Sequence, residues 1–262
     1  MTGPGLIQAD WPDLPSGVGA CTTTRAGGVS RGPFDDGQDG GGLNLGRHVG
    51  DEPDDVERNR ALLQAALPGR PAWISQVHGV AVADAALAGE QAPVMVADAS
   101  VASAPGVVCA VMTADCLPVL LADLDGKVVG AAHAGWRGLA AGVLQQTVTA
   151  MRARGAGELT AWLGPAIGPA QFEVGADVLN AFMAQALGAA ERTAVMAAFR
   201  QHDERPGKYL ADIYALARLA LARDGVTRVS GGNRCTASEV QQFYSYRRDN
   251  VTGRQATLIW IK

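Results

Sequence analysis

The sequence is poor in the residues that build multinuclear metal centres and disulfide frameworks. Its 262 residues include only four histidines and four cysteines. No two histidines form a His-x-His pair, and no two cysteines are separated by only two residues. An oxidase centre with several coppers needs many more histidines, and a small secreted scaffold needs regularly spaced cysteines. The composition therefore excludes both and is typical of a protein from a reducing compartment.

Long apolar runs and clusters of like charge are also missing. The net charge is −4, and the longest basic run is the pair Arg247–Arg248. Because a nucleic-acid surface needs concentrated positive charge, we expect small solutes rather than nucleic acid as partners. No apolar stretch approaches the roughly 20 residues of a membrane-spanning helix, and residues 1–4 do not open a secretory signal. We therefore expect a cytoplasmic protein without membrane contact.

The composition is that of an ordinary globular protein. Hydrophobic residues make up 48% of the chain and charged residues 18%, which is enough for a sizeable core. No Pro- or Ser-rich linker and no internal repeat divides the sequence. We therefore predict one domain over residues 1–262.

Apolar runs bounded by turn residues predict more strands than helices. The predicted strands are Val18–Thr24, Ala72–Gln76, Val80–Ala83, Val107–Met112, Leu117–Leu121, Lys127–Ala132 and Ala256–Ile261. The predicted helices are Asp54–Leu67, Gly138–Arg154, Asp177–Leu187 and Leu210–Arg223, and the stretch 27–46 is predicted to be a long loop. Frequent hairpins favour an α+β fold with mixed sheets over a doubly wound parallel sheet.

His78, Cys116 and His133 are candidate ligands for one metal ion. His78 is predicted at the turn of a hairpin between the strands Ala72–Gln76 and Val80–Ala83. Asp125-Gly126 predicts a second hairpin, with Cys116 and His133 at its open end. Imidazole nitrogen and thiolate sulfur suit Zn²⁺, and three protein ligands leave a fourth position for water or substrate. A cysteine in an apolar stretch is more often only a small buried hydrophobe. The shared position at strand ends nevertheless favours a catalytic Zn²⁺ site, for which Cu²⁺ is a possible substitute.

Several short segments follow one another in a distinctive order. They are Gly27–Ser30, Leu43–Asp51, Asn59–Arg60, Gln76–His78, Asp115–Pro118, His133–Gly138, Gly164–Gly168 and Phe243–Asp249. Together they resemble the YfiH family, also called the laccase-domain or multicopper polyphenol oxidase family, from about Cys21 to Ile261. The resemblance implies a layered sandwich of mixed β-sheets flanked by helices. Asp35–Gly42 departs from the family pattern as an insertion.

The resemblance also implies an activity on purine nucleosides. It implies zinc-dependent phosphorolysis of adenosine, inosine and methylthioadenosine, with adenosine deamination as a second activity. Asn44, His48, Arg60 and Arg247 are the candidate residues for binding nucleoside and phosphate, because amides, imidazole and guanidinium groups match such ligands. Asp115 is expected to orient one of the two histidine ligands through a carboxylate–imidazole hydrogen bond.

Other functions remain open from the sequence. Cys116 as a nucleophile and His133 as its general base form a hydrolase pair, although His78 then has no role. The family also suggests editing of peptidoglycan precursors, in which the same metal serves amide hydrolysis. Copper-dependent polyphenol oxidation and a metal- or nucleotide-binding module are the remaining alternatives.

Overall fold

The strands of the protein form three sheets in a computed structural model that describes residues 4–38, 40–89 and 92–262. The five-stranded sheet holds, in spatial order, β1 (Leu6–Gln8), β2 (Val18–Thr23), β15 (Gln255–Ile261), β7 (Val108–Thr113) and β4 (Pro71–Ala72). The six-stranded sheet holds β14 (Arg228–Gly231), β10 (Leu159–Leu163), β8 (Leu117–Asp123), β9 (Val129–Ala134), β6 (Ala99–Ala102) and β5 (Val82–Asp84). A small third sheet holds β11 (Glu173–Gly175), β13 (Lys208–Ala211) and β12 (Phe199–Gln201). Parallel and antiparallel pairs occur together in the two larger sheets.

Helices flank the sheets. They are α1 (Pro53–Gln64), α2 (Trp136–Ala141), α3 (Val143–Arg152), α4 (Ala176–Gln185), α5 (Ala189–Ala197), α6 (Ile213–Arg223) and α7 (Tyr246–Asp249). Helix α1 begins with a proline followed by two aspartates, which suits the positive end of the helix dipole. Within the described ranges, no helix combines the length and the apolar character needed to cross a membrane.

Strand β8 shows how the layers pack. Leu117, Val119 and Leu121 face the helical side, whereas Leu120 and Ala122 face the five-stranded sheet. Successive side chains of a strand point to opposite faces, so a strand buried on both faces is apolar throughout. The opposite face of the five-stranded sheet is covered in part by the α1 helix, whose leucine at position 63 packs there. The predicted α+β layered sandwich is confirmed.

The predicted hairpin around His78 was wrong. Strand β4 belongs to the five-stranded sheet and β5 to the six-stranded sheet, and His78 lies on the segment that crosses between them. Along this segment only Ser75 forms an isolated bridge, to Val96. Strand pairing across a sheet depends on distant residues, which local turn signals do not report.

Two other predicted boundaries also need correction. The predicted helix 138–154 is two helices, α2 and α3, separated by Gly142 in the left-handed region with φ of 98°. The predicted loop 27–46 contains strand β3 (Ala26–Ser30), which bridges to Gly42. In the predicted insertion, Asp39 lies outside the described residues. Asp36, in the same insertion, accepts hydrogen bonds from the backbone N–H groups of residues 38 and 40, both at 2.9 Å.

Candidate metal centre

The β8–β9 hairpin brings Cys116 and His133 to the same end of the six-stranded sheet. Pro118 lies directly opposite His133 in the antiparallel register. At the other end of the hairpin, Asp123 Oδ1 accepts the backbone N–H groups of Lys127 and Val128 at 2.7 and 2.8 Å. The Asp-Gly signal and the antiparallel pairing therefore place these two side chains as the sequence predicts.

His78 reaches the same point from the crossing segment, in a strained backbone conformation. Its φ is 60°, a left-handed value that few non-glycine residues adopt. The buried carboxylate of Asp98 accepts the backbone N–H groups of Val77, His78 and Gly79 at 3.2, 2.9 and 2.7 Å. These three bonds hold the turn that carries the His78 ring, so the strain is offset by a fixed local network.

The three side chains converge with separations suited to one small cation. Cys116 Sγ lies 3.6 Å from His78 Nε2, and the ring centres of His78 and His133 are 4.8 Å apart with an interplanar angle of 72°. The ligand atoms that the three residues offer lie within 4.8 Å of one another. Tetrahedral zinc bonds place a nitrogen and a sulfur about 3.5 Å apart. The donor set and its spacing therefore fit Zn²⁺, and this cluster is a possible metal site.

Gly135 makes room for this convergence. A Cβ atom at this position would lie 2.8 Å from His78 Cδ2 and 3.1 Å from Cys116 Sγ. Both distances are shorter than ordinary van der Waals contact, so a side chain here would push the two ligands away. A glycine immediately after β9 therefore lets His78 and Cys116 approach each other.

Asp98 also orients His133, a role that the sequence analysis assigned to Asp115. Asp98 Oδ1 lies 2.8 Å from His133 Nδ1, and both side chains are buried. Burial alone would raise the pKa of Asp98, but hydrogen bonds from His133, Gly79 and Val77 lower it below its usual value. The ionised carboxylate requires a proton on His133 Nδ1, which leaves Nε2 to face the metal site.

The thiol of Cys116 and the imidazole of His133 form a coupled pair. Burial would raise the pKa of Cys116, but hydrogen bonds to His133 and His78 lower it to about 6. Burial would lower the pKa of His133, but hydrogen bonds to Asp98 and Cys116 raise it to about 9. In the protein without metal, the pair is therefore a thiolate beside an imidazolium at neutral pH, and a thiolate is the form that ligates metal.

Next to the cluster is a cavity of about 620 Å³. Its walls combine apolar and aromatic side chains with charged ones, and Asp115 is the acidic residue among them. The other lining side chains, besides the three cluster residues, include His48, Ile74, Met112, Trp136, Arg137, Ile167, Phe172, Ile213, Tyr246, Arg247 and Arg254. Its size is in the range of small-molecule sites, about 300–1,000 Å³. Two of the predicted substrate-binding residues, His48 and Arg247, lie in its wall.

The other two predicted substrate-binding residues, Asn44 and Arg60, do not line this cavity. Arg60 is only 8% exposed, and its Nε and Nη2 donate to the Leu45 carbonyl at 3.0 and 2.8 Å. Its guanidinium lies 4.4 Å from the ring centre of Trp73. Asn44 is fully buried, and its Oδ1 accepts the backbone N–H groups of residues 46 and 254, both at 2.9 Å. These contacts use both side chains to hold the loop, so both lie outside the cavity wall.

Asp115 does not orient a histidine. It has a φ of 92°, and its two carboxylate oxygens accept from the hydroxyl of Thr236 and from the backbone N–H of Arg247, both at 2.6 Å. The carboxylate therefore points toward the N-terminal turn of α7 rather than toward the ligands. It fixes the wall of the cavity that carries Arg247.

Three guanidinium groups in the cavity wall have no acidic partner. Arg247 Nη1 donates to the Glu173 carbonyl at 2.8 Å, and the Arg137 guanidinium lies 4.5 Å from the ring centre of Trp136. Arg254 Nη1 donates only to backbone carbonyls. Among the described residues, no carboxylate lies within ion-pair distance of any of the three. The sequence analysis missed Arg254 and Asp98, because each is a single charged residue that shows no motif or spacing signal.

The fold and the cluster define a layered α+β protein with a possible His–Cys–His metal site. Residues 19–262 match the family model described as multi-copper polyphenol oxidoreductase laccase. The chain is 54% identical to the proteins named purine nucleoside phosphorylase YfiH of Shigella flexneri and Escherichia coli K12, over 98% of each chain. The crystal structure of Neisseria meningitidis protein NMB0706 is similar with a TM-score of 0.88 and 47% identity, covering 98% of this chain and 99% of that one. The chain belongs to this laccase-domain family, which contains YfiH, and the predicted resemblance is confirmed.

Proposed function

We propose that this chain is a purine nucleoside phosphorylase that acts on adenosine, inosine and methylthioadenosine and also deaminates adenosine. The observation that carries the proposal is the combination, in one cavity, of the His78–Cys116–His133 cluster with three guanidinium groups that lack acidic partners among the described residues. Phosphorolysis needs a neutral nucleoside and an inorganic anion side by side. The names of the relatives at 54% identity support the same class of reaction.

The cationic side chains of the cavity wall are suited to bind the phosphate anion. Guanidinium groups match phosphate oxygens and remain charged at neutral pH. Arg247 is held by the Glu173 carbonyl and lies 5.8 Å from the ring centre of Phe172, with its backbone anchored by Asp115. Its position is therefore fixed before an anion arrives, which reduces the entropy lost on binding.

The apolar part of the wall suits the nucleoside. Phe172, Trp136 and Tyr246 offer aromatic surfaces on which a purine ring can lie, and Tyr246 is 57% exposed. We propose that His48, which lines the same cavity, forms hydrogen bonds with the bound substrates. Because burial and then the charges of Arg254 and Arg60 lower the pKa of His48, it is neutral at pH 7 and offers one donor and one acceptor.

We propose zinc as the metal, held by His78, Cys116 and His133, with copper as a possible substitute. Bound there, zinc supplies a Lewis acid that makes water nucleophilic near neutral pH, the chemistry that deamination of adenosine requires. The protein's own part is to fix the three ligands: Asp98 sets the tautomer of His133 and holds the turn of His78.

The domain organisation, the cellular location and the partners are inferred from the sequence. We propose that residues 1–262 act as one domain in the cytoplasm, on small-molecule substrates and without nucleic acid. Four cysteines, none of them in a disulfide, and a net charge of −4 support this proposal.

The test measures products from adenosine with and without phosphate, on protein of known zinc content. We expect adenine and ribose 1-phosphate only when phosphate is present, and inosine with ammonia in its absence. Arg247→Gln is expected to weaken phosphorolysis, and the matched control Arg200→Gln, on an exposed arginine paired with Asp203, is expected to leave it unchanged. If zinc-loaded protein forms neither set of products, the nucleoside assignment fails.

A further inference from the structure

Arg254 differs from the other two cavity arginines because it is partly buried. Arg137 and Arg247 are exposed, whereas the Arg254 side chain is half-buried. Burial lowers its pKa, and only Cys116, Asp115 and Tyr246 act in the opposite direction, none of them hydrogen-bonded to it. Arg254 is half-buried and its only hydrogen-bond acceptors among the described residues are two backbone carbonyls, so no ion pair balances its charge. Its placement is therefore suited to a bound anion.

The hydrogen bonds of Arg254 leave one edge of the guanidinium open. Nη1 donates to the carbonyls of Thr252 and Gly253 at 3.1 and 2.9 Å. Nε and Nη2 have no hydrogen-bond partner among residues 4–38, 40–89 and 92–262. These two nitrogens form the edge that binds two oxygens of a phosphate at once. The side chain lines the same cavity as the metal cluster.

The loop 43–46 holds Arg254 in this position. Asn44 Oδ1 accepts the backbone N–H of Arg254 at 2.9 Å, and the Arg254 carbonyl accepts the N–H of Leu45 at 3.1 Å. A Cβ atom on Gly46 would lie 2.8 Å from Arg254 Cγ, so the loop packs directly on the arginine stem. Arg60 in turn holds the Leu45 carbonyl. The loop therefore fixes the backbone N–H and carbonyl of Arg254 and packs against the aliphatic part of its side chain.

We propose that Arg254 is the principal phosphate-binding residue of the cavity, with Asn44 as its positioning residue. The inference rests on the proposed phosphorolysis and names the group that receives its inorganic substrate. His48 lies close enough for the charge of Arg254 to lower its pKa, and it lines the same cavity, so it completes the subsite as a neutral hydrogen-bonding partner. Arg247, 5.8 Å from the ring centre of Phe172, then supports the anion from the aromatic side of the cavity.

The experiment compares Arg254→Gln with Arg47→Gln, using the purified zinc-containing protein. Arg47 is a matched control because it precedes His48 but is exposed and paired with Glu57 at 2.6 Å. Binding of inorganic phosphate alone is measured by calorimetry, and KM is measured separately for phosphate and for adenosine. We expect Arg254→Gln to weaken phosphate binding and raise the phosphate KM about 10- to 100-fold, the effect of losing charged hydrogen bonds. The adenosine KM and the zinc content are expected to stay within about threefold of those of the unaltered protein, a change too small to represent a lost charged hydrogen bond.

Two further variants separate binding from folding. Arg254→Lys keeps the charge and the aliphatic stem but loses the two-nitrogen edge, so we expect it to raise the phosphate KM less than Arg254→Gln does. If Arg254→Gln fails to fold, a selective rise in the phosphate KM of Arg254→Lys still tests the inference. Asn44→Ala is expected to raise the phosphate KM while leaving the adenosine KM unchanged, a split that general loss of stability does not produce. Unchanged phosphate binding in both Arg254 variants, or equal weakening in Arg47→Gln, overturns the inference while phosphorolysis by the unaltered protein still stands. If the unaltered protein neither binds phosphate nor forms ribose 1-phosphate, the proposed function fails and takes this inference with it.

Discussion

Replacement of Asp98 is the sharpest test of how the metal site is built. Asp98→Asn keeps the size of the side chain and an oxygen that can accept from the turn at His78, but it removes the charge that fixes the His133 tautomer. Loss of such a carboxylate partner typically lowers metal affinity about 10- to 100-fold. We therefore expect zinc binding to weaken by about 1.4–2.7 kcal/mol.

Asp98→Ala is also expected to lower the stability of the folded protein. It leaves the N–H groups of Val77, His78 and Gly79 without their acceptor. Each unsatisfied buried group costs about 1–3 kcal/mol. Because His78 is exposed, water can replace part of this network, and we expect the zinc-free protein to lose about 1–3 kcal/mol in total, the cost of one such group.

Zinc affinity is measured by competition with a chromophoric chelator, and stability by denaturation of the zinc-free protein. Asp123→Asn is the matched control: Asp123 is similarly buried and also accepts two backbone N–H groups, but at the far end of the hairpin. It is expected to lower stability without changing zinc affinity. If Asp98→Asn binds zinc as tightly as the unaltered protein, the carboxylate does not set the His133 tautomer and the reasoning is refuted.

Three further predictions concern the cluster and its surroundings. Gly135→Ala is expected to lower zinc affinity because its methyl group meets the Cys116 sulfur at 3.1 Å, whereas Gly157→Ala, with no atom within 4 Å, is expected to have no effect in the same chelator assay. Alkylation of Cys116 in zinc-free protein, followed by peptide mass spectrometry, is expected to show a midpoint near pH 6, since the pKa is lowered to about 6. A midpoint near 9.0, the ordinary pKa of a cysteine thiol, would exclude the thiolate–imidazolium pair. Arg60→Ala is expected to lower the free energy of unfolding by about 1–3 kcal/mol. Because Arg60 also holds the loop that positions Arg254, the phosphate KM is expected to rise no more than in Asn44→Ala, and a larger selective rise contradicts its structural role.

The parts of the site that the sequence predicts are those with local signals. Cys116 and His133 meet because Asp125-Gly126 marks a hairpin, and antiparallel pairing fixes which residues are opposite. Strand β8 is recognisable because both of its faces are buried and its residues are almost all apolar. For these residues, the local sequence indicates the turn, the burial pattern of the strand and the register of the strand pairing.

The parts that the sequence does not predict depend on contacts between distant segments. Asp98 is 35 residues from His133, and nothing in its neighbourhood marks it as a partner. Arg254 approaches the cavity only because β15 joins β2 and β7 in the centre of a sheet. Asn44 and Arg60 have the residue types of ligand-binding groups, but both are buried and their polar atoms are hydrogen-bonded within the protein, to backbone groups and to Asp51. Residue type alone does not distinguish these two roles.

Asp98 and Asp115 each stabilise one strained backbone position at the cluster. His78 and Asp115 both have positive φ, and strain of this kind costs about 1–3 kcal/mol at each residue. Asp98 offsets the first through backbone hydrogen bonds, and the Asp115 carboxylate offsets the second through Thr236 and the N–H of Arg247. The second network joins the residue before Cys116 to the wall that carries Arg247, so the metal ligands and the anion-binding wall are parts of one hydrogen-bonded frame. A change that releases Asp115 is therefore expected to disturb both at once, whereas a change at Asp98 disturbs the metal ligands and the turn of His78 but leaves the anion-binding wall in place.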